Sequence, residues 1–234
     1  MSRPKGKHNG QDTARKIKTV ARQQMEKYGT AGLTLRGIAK EMGITAPAIY
    51  NYYPRLEDLI TALIVDAFNA LAEAMHAAAV ETSHSSYAAR IQAIVGAYRQ
   101  WAVENPVDFQ LIYGNPIPGY SAPAELTTPL ARKPFIELMQ VYVEAMNTGA
   151  LHIPTEYQDL PDSVAQYIDG WGQRVGTPIP APLFGQIISG WGRIHGLVML
   201  ELTHHIQPVI GDPAAFYSYE VNAYLQRLEL LSPK

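Results

Sequence analysis

LTLRGIAKEMGITAPAIYNYYPRLEDLI, residues 33–60, reads as two short helices joined by a tight turn, then the entry to a third. Thr34 stands where a helix N-cap belongs, and Leu35, Ile38, Ala39 and Met42 recur at helical spacing behind it. Gly43 can take the positive φ of a turn, and Thr45 can cap a second helix that ends before Pro54. Ala39 is small where the two helices would cross, while Ile38, Ile44 and Ile49 are apolar where they would share a core. This is the spacing of a helix-turn-helix. It also sorts the three tyrosines. Ile49 and Tyr53 are four apart and share the inner face, which leaves Ala46, Pro47, Tyr50 and Asn51 outward, with Tyr52 at the edge.

Outward tyrosine and asparagine at the front of a short helix suit a polyanion. Hydroxyls and helix N-terminal amides bind phosphates, and Asn51 or Ala46 could meet base edges. Charge agrees. The net charge of −2 combines +8 over residues 1–55 with −10 over residues 56–234. A solvated basic face explains the charge alone, and an aromatic helix packed on another explains the tyrosines alone. Neither explains the turn.

Working outward, residues 12–28 make a first helix, with Asp12 as its N-cap and Ile17, Val20, Ala21, Met25 and Tyr28 on one face. Ahead of it, residues 1–11 read as a flexible basic arm, whose Arg3, Lys5 and Lys7 suit either a minor-groove contact or a solubilising tail. Residues 12–54 then form the helix-turn-helix domain and residues 55–234 a larger helical domain. In the latter, Leu59, Leu63, Ala67 and Leu71 line one helix, and Ile91, Ile94, Val95, Tyr98 and Trp101 another. Further helices are expected over 124–147, 162–171, 183–206 and 213–231, with Gly/Pro-rich breaks at 113–123 and 175–182. No β-alternation of useful length occurs, so the fold class is all-α.

The basic N-terminus lacks the apolar stretch of a secretion signal, cysteine is absent, and no run approaches 18 apolar residues. A cytoplasmic protein without a membrane span is expected. No P-loop, H-E-x-x-H, G-x-S-x-G or catalytic cysteine is present, and GWGQRVG and GWGRIHG carry one residue too many for a dinucleotide fingerprint. No catalytic residue, metal ligand or cofactor is therefore expected. Glu201, His204 and His205 lie within one turn, but no second cluster matches them.

Residues 13–60 resemble the N-terminal DNA-binding domain of the TetR family of bacterial regulators. The Thr-x-Arg-x-Ile-Ala opening, the Gly-Ile-Thr turn, the Ile-Tyr-x-Tyr-Tyr helix and the Glu-x-Leu after the proline match without a gap. The resemblance implies that Thr34, Thr45, Tyr50 and Tyr52 contact phosphates. It implies too that Arg36 enters the major groove and that Ala46, Pro47 and Asn51 sit over the bases. Family members often carry Lys where Leu56 stands, so either Arg55 substitutes or one contact is missing.

Trp191-x-x-x-His195-Gly196, with Leu197, Leu200, Glu201 and Leu202 after it, resembles the C-terminal domain class of TetR-type regulators named for Trp, His and Gly. This implies a homodimer formed through helices near 183–206 and 213–231, and a palindromic double-stranded DNA operator. It also implies a small hydrophobic effector held in the body, with Trp101, Tyr113, Tyr142 and His195 as candidate contacts. Ordinary core packing is the competing reading for each of the four. Gly190, Gly192 and Gly196 each cost a helix up to about 1 kcal/mol against Ala, so they call for a close neighbour or a ligand. The expected function is a dimeric, ligand-released repressor. The alternative is a helical small-molecule-binding protein, or a cryptic enzyme, whose N-terminal helices bind a protein partner.

Overall fold

In the computed structural model, residues 6–175 and 179–232 are described, with the side chains of 6–9 and 173–175 left aside. The arm residues Arg3 and Lys5 and the side chain of Lys7 thus lie outside the described residues. Among those described, the structure is all helical: twelve α-helices and three short 3-10 turns, with no strand. The chain divides into two compact units.

The first unit comprises residues 1–70 and 105–133. It holds α1 (Gly6–Tyr28), α2 (Leu35–Glu41), α3 (Ala46–Tyr50) and the first half of α4 (Leu56–Glu81). Its core gathers Ile17, Ala21 and Met25 with Ile38, Ile49, Leu59 and Leu63. Asp12 is not a cap: α1 already runs from Gly6, and the Asp12 carboxylate takes Arg15 one turn on, at 2.8 Å. Tyr28 is also not core. It is 59% exposed, with Lys27 set over its ring.

Residues 105–133 rejoin this unit after an excursion through the other. They carry α6 (Pro106–Tyr113), the Gly/Pro-rich passage and α7 (Ala124–Arg132). Arg22 Nε of α1 donates to both oxygens of the largely buried Asp108 carboxylate at 2.8 and 2.9 Å. Lys18 does the same to Asp66 of α4. Ile117 and Tyr120 of the irregular passage pack on the core, and the Tyr120 hydroxyl meets Thr61 Oγ1 at 2.9 Å. The helix expected over 124–147 is interrupted. Pro134 lacks the N–H that would continue the helical hydrogen bonds, and α7 gives way to a 3-10 turn at 133–135 before α8 (Ile136–Asn147).

The second unit, residues 71–104 and 134–234, is built from the end of α4, α5 (Tyr87–Glu104), α8, α9 (Asp162–Val175), α10 (Ala181–Leu202), α11 (Gln207–Ile210) and α12 (Pro213–Arg227). Tyr98 and Ile94 of α5 and Leu183 and Val198 of α10 are fully buried. Arg99 and Glu201 form a two-point ion pair at 2.5 and 2.8 Å between α5 and α10, and the Tyr217 hydroxyl of α12 donates to the Val95 carbonyl at 2.7 Å. The inner stripe of α10 is 183–187–194–198, and Ile188 is 45% exposed. By length and composition one described helix, α4, could cross a membrane. Its Leu59, Leu63, Ala67 and Leu71 are wholly buried in the fold.

Two positions hold left-handed backbone for opposite reasons. Gly43 at φ 66° makes the α2–α3 turn, where a side chain has open space but the wrong conformation. His204 at φ 57° ends α10, where glycine would be at ease. Gly43→Ala is expected to lower unfolding free energy by about 1–2 kcal/mol. His204→Gly is expected to raise it by about 0.5–1 kcal/mol, the relieved strain exceeding the entropy glycine adds to the unfolded chain. Urea unfolding of each variant beside the parent measures both signs.

Candidate nucleic-acid interface

The site is assembled on α2, α3 and the start of α4. Thr34 caps α2 through its hydroxyl, which accepts from Gly37 N at 3.0 Å. That cap points the first turn of α2, with the exposed Arg36, away from the core that Leu35 and Ile38 enter. Gly37 is small for this cap's sake: a Cβ there would lie 2.8 Å from the Thr34 hydroxyl oxygen. Beneath, Gln24 of α1 is 6% exposed and donates to Glu41 at 3.0 Å, joining α1 to the end of α2.

The α2–α3 turn then sets the direction of α3. Gly43 N and Ile44 N bond back to the carbonyls of Lys40 and Ala39. Thr45 occupies the N-cap position in extended backbone, but its side chain makes no cap hydrogen bond. Its side chain is exposed. Pro47 falls in the first turn of α3, where a missing N–H costs nothing. Ile49 is 0% and Tyr53 9% exposed, whereas Tyr50 is 41% and Tyr52 37% exposed. Asn51 ends α3 on the outer side with Pro47, and Ala46 is half-buried between them and the turn.

Thr34, Arg36 and Tyr50 are brought together. With Leu35, Arg55, Leu56 and Glu57 they line an open concavity of about 390 Å3. Sequence spacing leaves this hollow invisible, because it depends on where the chain re-enters α4. Arg55 lies on it, but its guanidinium is engaged by Asp58 at 2.6 and 3.2 Å. Asp58 also accepts from Arg55 N, and the guanidinium holds its carboxyl below the usual carboxylate range. A Lys side chain at position 56 is replaced by an apolar floor.

The four candidate ligand contacts are not gathered in one place. Tyr113 belongs to the first unit, where its ring packs on Phe68 and Phe109 and burial pushes its hydroxyl pKa up. Trp101 is a buried residue of α5. His195 Nδ1 lies 2.7 Å from the Tyr98 hydroxyl, its ring stacks at 5.1 Å on Trp191, and Trp191 in turn meets Phe135. Burial lowers the His195 pKa, which favours the neutral imidazole. Tyr142 of α8 lines a small cavity with residues of α5, α10 and α12, Trp191 among them.

The glycines of α10 divide by face. A Cβ on Gly190 would lie 2.5 Å from the Tyr224 hydroxyl, so α10 and α12 approach closely there. Gly192 and Gly196 have open space beside them. The possible Glu201–His204–His205 cluster is spent otherwise: Glu201 on Arg99, and His205 Nδ1 on the Thr203 hydroxyl at 2.8 Å. Among the described residues no group of three acidic, His or Cys side chains could hold a metal.

Comparison with known proteins agrees with this architecture. A family model described as bacterial regulatory proteins, tetR family, matches residues 17–63. A second, described as tetracyclin repressor-like, C-terminal domain, matches residues 91–224 and includes the Trp-x-x-x-His-Gly element. The HTH-type transcriptional regulator Rv1816 of Mycobacterium tuberculosis is 30% identical over 187 residues, 80% of this chain and 79% of that protein. Its counterpart Mb1846 in Mycobacterium bovis is similar to the same degree. Among solved structures, regulatory protein SCO4313 superposes with a TM-score of 0.75 at 29% identity, covering 97% of this chain and 100% of that one. The chain belongs to the TetR family and is a DNA-binding transcriptional regulator.

Proposed function

We propose that the protein is a homodimeric repressor that binds a palindromic operator in the cytoplasm and is released from it by a small, mainly apolar effector. The observation that carries the DNA-facing part is the division of one short helix. Ile49 and Tyr53 are committed to the core, so Tyr50, Asn51, Tyr52 and the preceding Ala46 and Pro47 face outward beside Thr34, Thr45 and Arg36. In this reading Thr34, Thr45, Tyr50 and Tyr52 hold phosphates, and Arg36 reads a guanine edge in the major groove. Asn51, Ala46 and Pro47 lie over the bases. Two such heads reading half-sites one helical turn apart require a two-fold dimer.

The dimer surface is assigned to the outward faces of α10 and α12. Ile188, Leu200 and Tyr219 are 45%, 44% and 63% exposed, and Gly192 and Gly196 between them leave room for a second helix to come close. Effector binding then acts by favouring a spacing of the heads that no longer fits successive grooves. A few kcal/mol of differential affinity between the two states is enough.

Fluorescence anisotropy with DNA flanking the protein's own gene tests the reading, at roughly 50 and 200 mM salt. Arg36→Ala is expected to weaken operator binding by about 1–3 kcal/mol and to relax preference at one base pair. Tyr50→Phe is expected to weaken binding about equally on all sequences, as loss of a phosphate contact does. Both variants should remain dimers by light scattering. Unchanged DNA binding in both variants sinks the assignment of this face.

A further inference from the structure

We propose that Asp108 is a positioning residue for operator binding: through Arg22 it holds the DNA-facing head in the pose that matches successive half-sites. This rests on the two-headed dimer of the proposed function and names the contact that sets each head.

Asp108 lies outside the helix-turn-helix in sequence but inside the same compact unit, on α6. Its carboxylate side chain is 12% exposed and takes Arg22 Nε at 2.8 and 2.9 Å, one N–H shared between both oxygens. Elsewhere α6 meets the head through apolar contacts: Leu111 joins the core, and the Tyr113 ring stands edge-on to Phe68 of α4. Apolar burial is non-directional, whereas a charge-assisted hydrogen bond fixes both distance and angle.

Arg22 stands in a row of alternating charge. Its Nη2 is 3.9 Å from Asp66 of α4, and Asp66 is itself held by Lys18 Nζ at 2.7 and 2.9 Å. Lys18 and Arg22 are four residues apart and share one face of α1. Both cations of that face are engaged within the fold, by carboxylates of α4 and α6, and so serve the pose of α1.

What Asp108 fixes, α1 passes on. Gln24, two residues beyond Arg22, is buried and donates to Glu41 at the end of α2 at 3.0 Å. A Cβ on Gly37 would lie 3.2 Å from the Gln24 amide, so that amide lies against the first turn of α2, beside Arg36. A tilt of α1 therefore carries α2 with it, and α3 follows through the core they share around Ile38 and Ile49. Loss of the Asp108 charge does not strand Arg22, because Asp66 is within reach. The head then stays folded but gains a second resting place, with Arg22 drawn to α4 instead of α6.

Half-site spacing measures the pose. One added base pair moves two half-sites apart by about 3.4 Å and turns them by about 35°. Heads held in one pose favour one spacing; heads with two poses tolerate more.

The full-length protein selects its operator from a pool of random duplexes. That operator is remade with one base pair added or removed at its centre, and as a single half-site. Fluorescence anisotropy gives the affinities, and thermal unfolding shows that each variant is folded. The parent should prefer the selected spacing about tenfold. In Asp108→Asn that preference should fall about fivefold or more, with half-site affinity within about twofold of the parent's. Arg22→Lys, which keeps the charge but not the shared N–H, should fall between the two, and it carries the test if Asp108→Asn does not fold. A variant that keeps the parent's spacing preference, or that loses half-site and full-operator affinity by the same factor, overturns the role of Asp108 alone. A parent with no spacing preference overturns the two-headed reading, and this role with it.

Discussion

A helix of five residues cannot stand by its own hydrogen bonds, and α3 is such a helix. It exists because Ile49 is driven into the core between α1 and α4 and Tyr53 closes the same face four residues on. Everything said about the DNA-facing surface depends on this anchoring. Once those two side chains are committed inward, the helical repeat leaves no freedom about which others face out. The turn at Gly43 sets the direction of α3, and the Thr34 cap sets that of α2. The outward surface is thus the remainder of a packing solution.

The first unit is more than three N-terminal helices. Residues 105–133 return to it, and Arg22 fixes α6 to α1 through a largely buried carboxylate. Such a pair stabilises only while both partners are present, since removing one leaves a buried charge unmatched. The chain therefore enters this unit twice and is held there by directional contacts.

Much of this was legible in the sequence because the signals were local. The helix-turn-helix, the inward Ile49 and Tyr53, and the buried stripes of α4 and α5 follow from spacing of three and four alone. The misreadings have local causes too. Tyr28 keeps the helical period but falls past the end of the core, so its ring lies on the surface. Asp12 is a good capping residue in a place where the helix had already begun. The run 124–147 kept its apolar period across Pro134, which breaks the backbone and leaves the pattern intact. The return of 105–133 to the head depends on contacts 86 residues apart, Arg22 to Asp108, and no window of sequence contains them. For the same reason the pairing of Tyr142 with Tyr224 had no signature.

The glycines of α10 bring these threads together. Each weakens the helix, yet they do so on different faces. Gly190 is filled from within the protomer by the Tyr224 hydroxyl, while Gly192 and Gly196 remain open on the other side. At Gly190 the Tyr224 ring lies directly against the α10 backbone, which fixes how closely α12 packs there. Such a ring-on-backbone contact tolerates small sliding poorly, because a displacement of about an ångström turns contact into clash or gap. An α10 that shifted at Gly190 would carry Gly192 and Gly196 with it, since all three share one helix. On the proposed dimer reading, the packing of α10 on α12 and the subunit interface are two sides of the same helix, and a shift at one is a shift at the other.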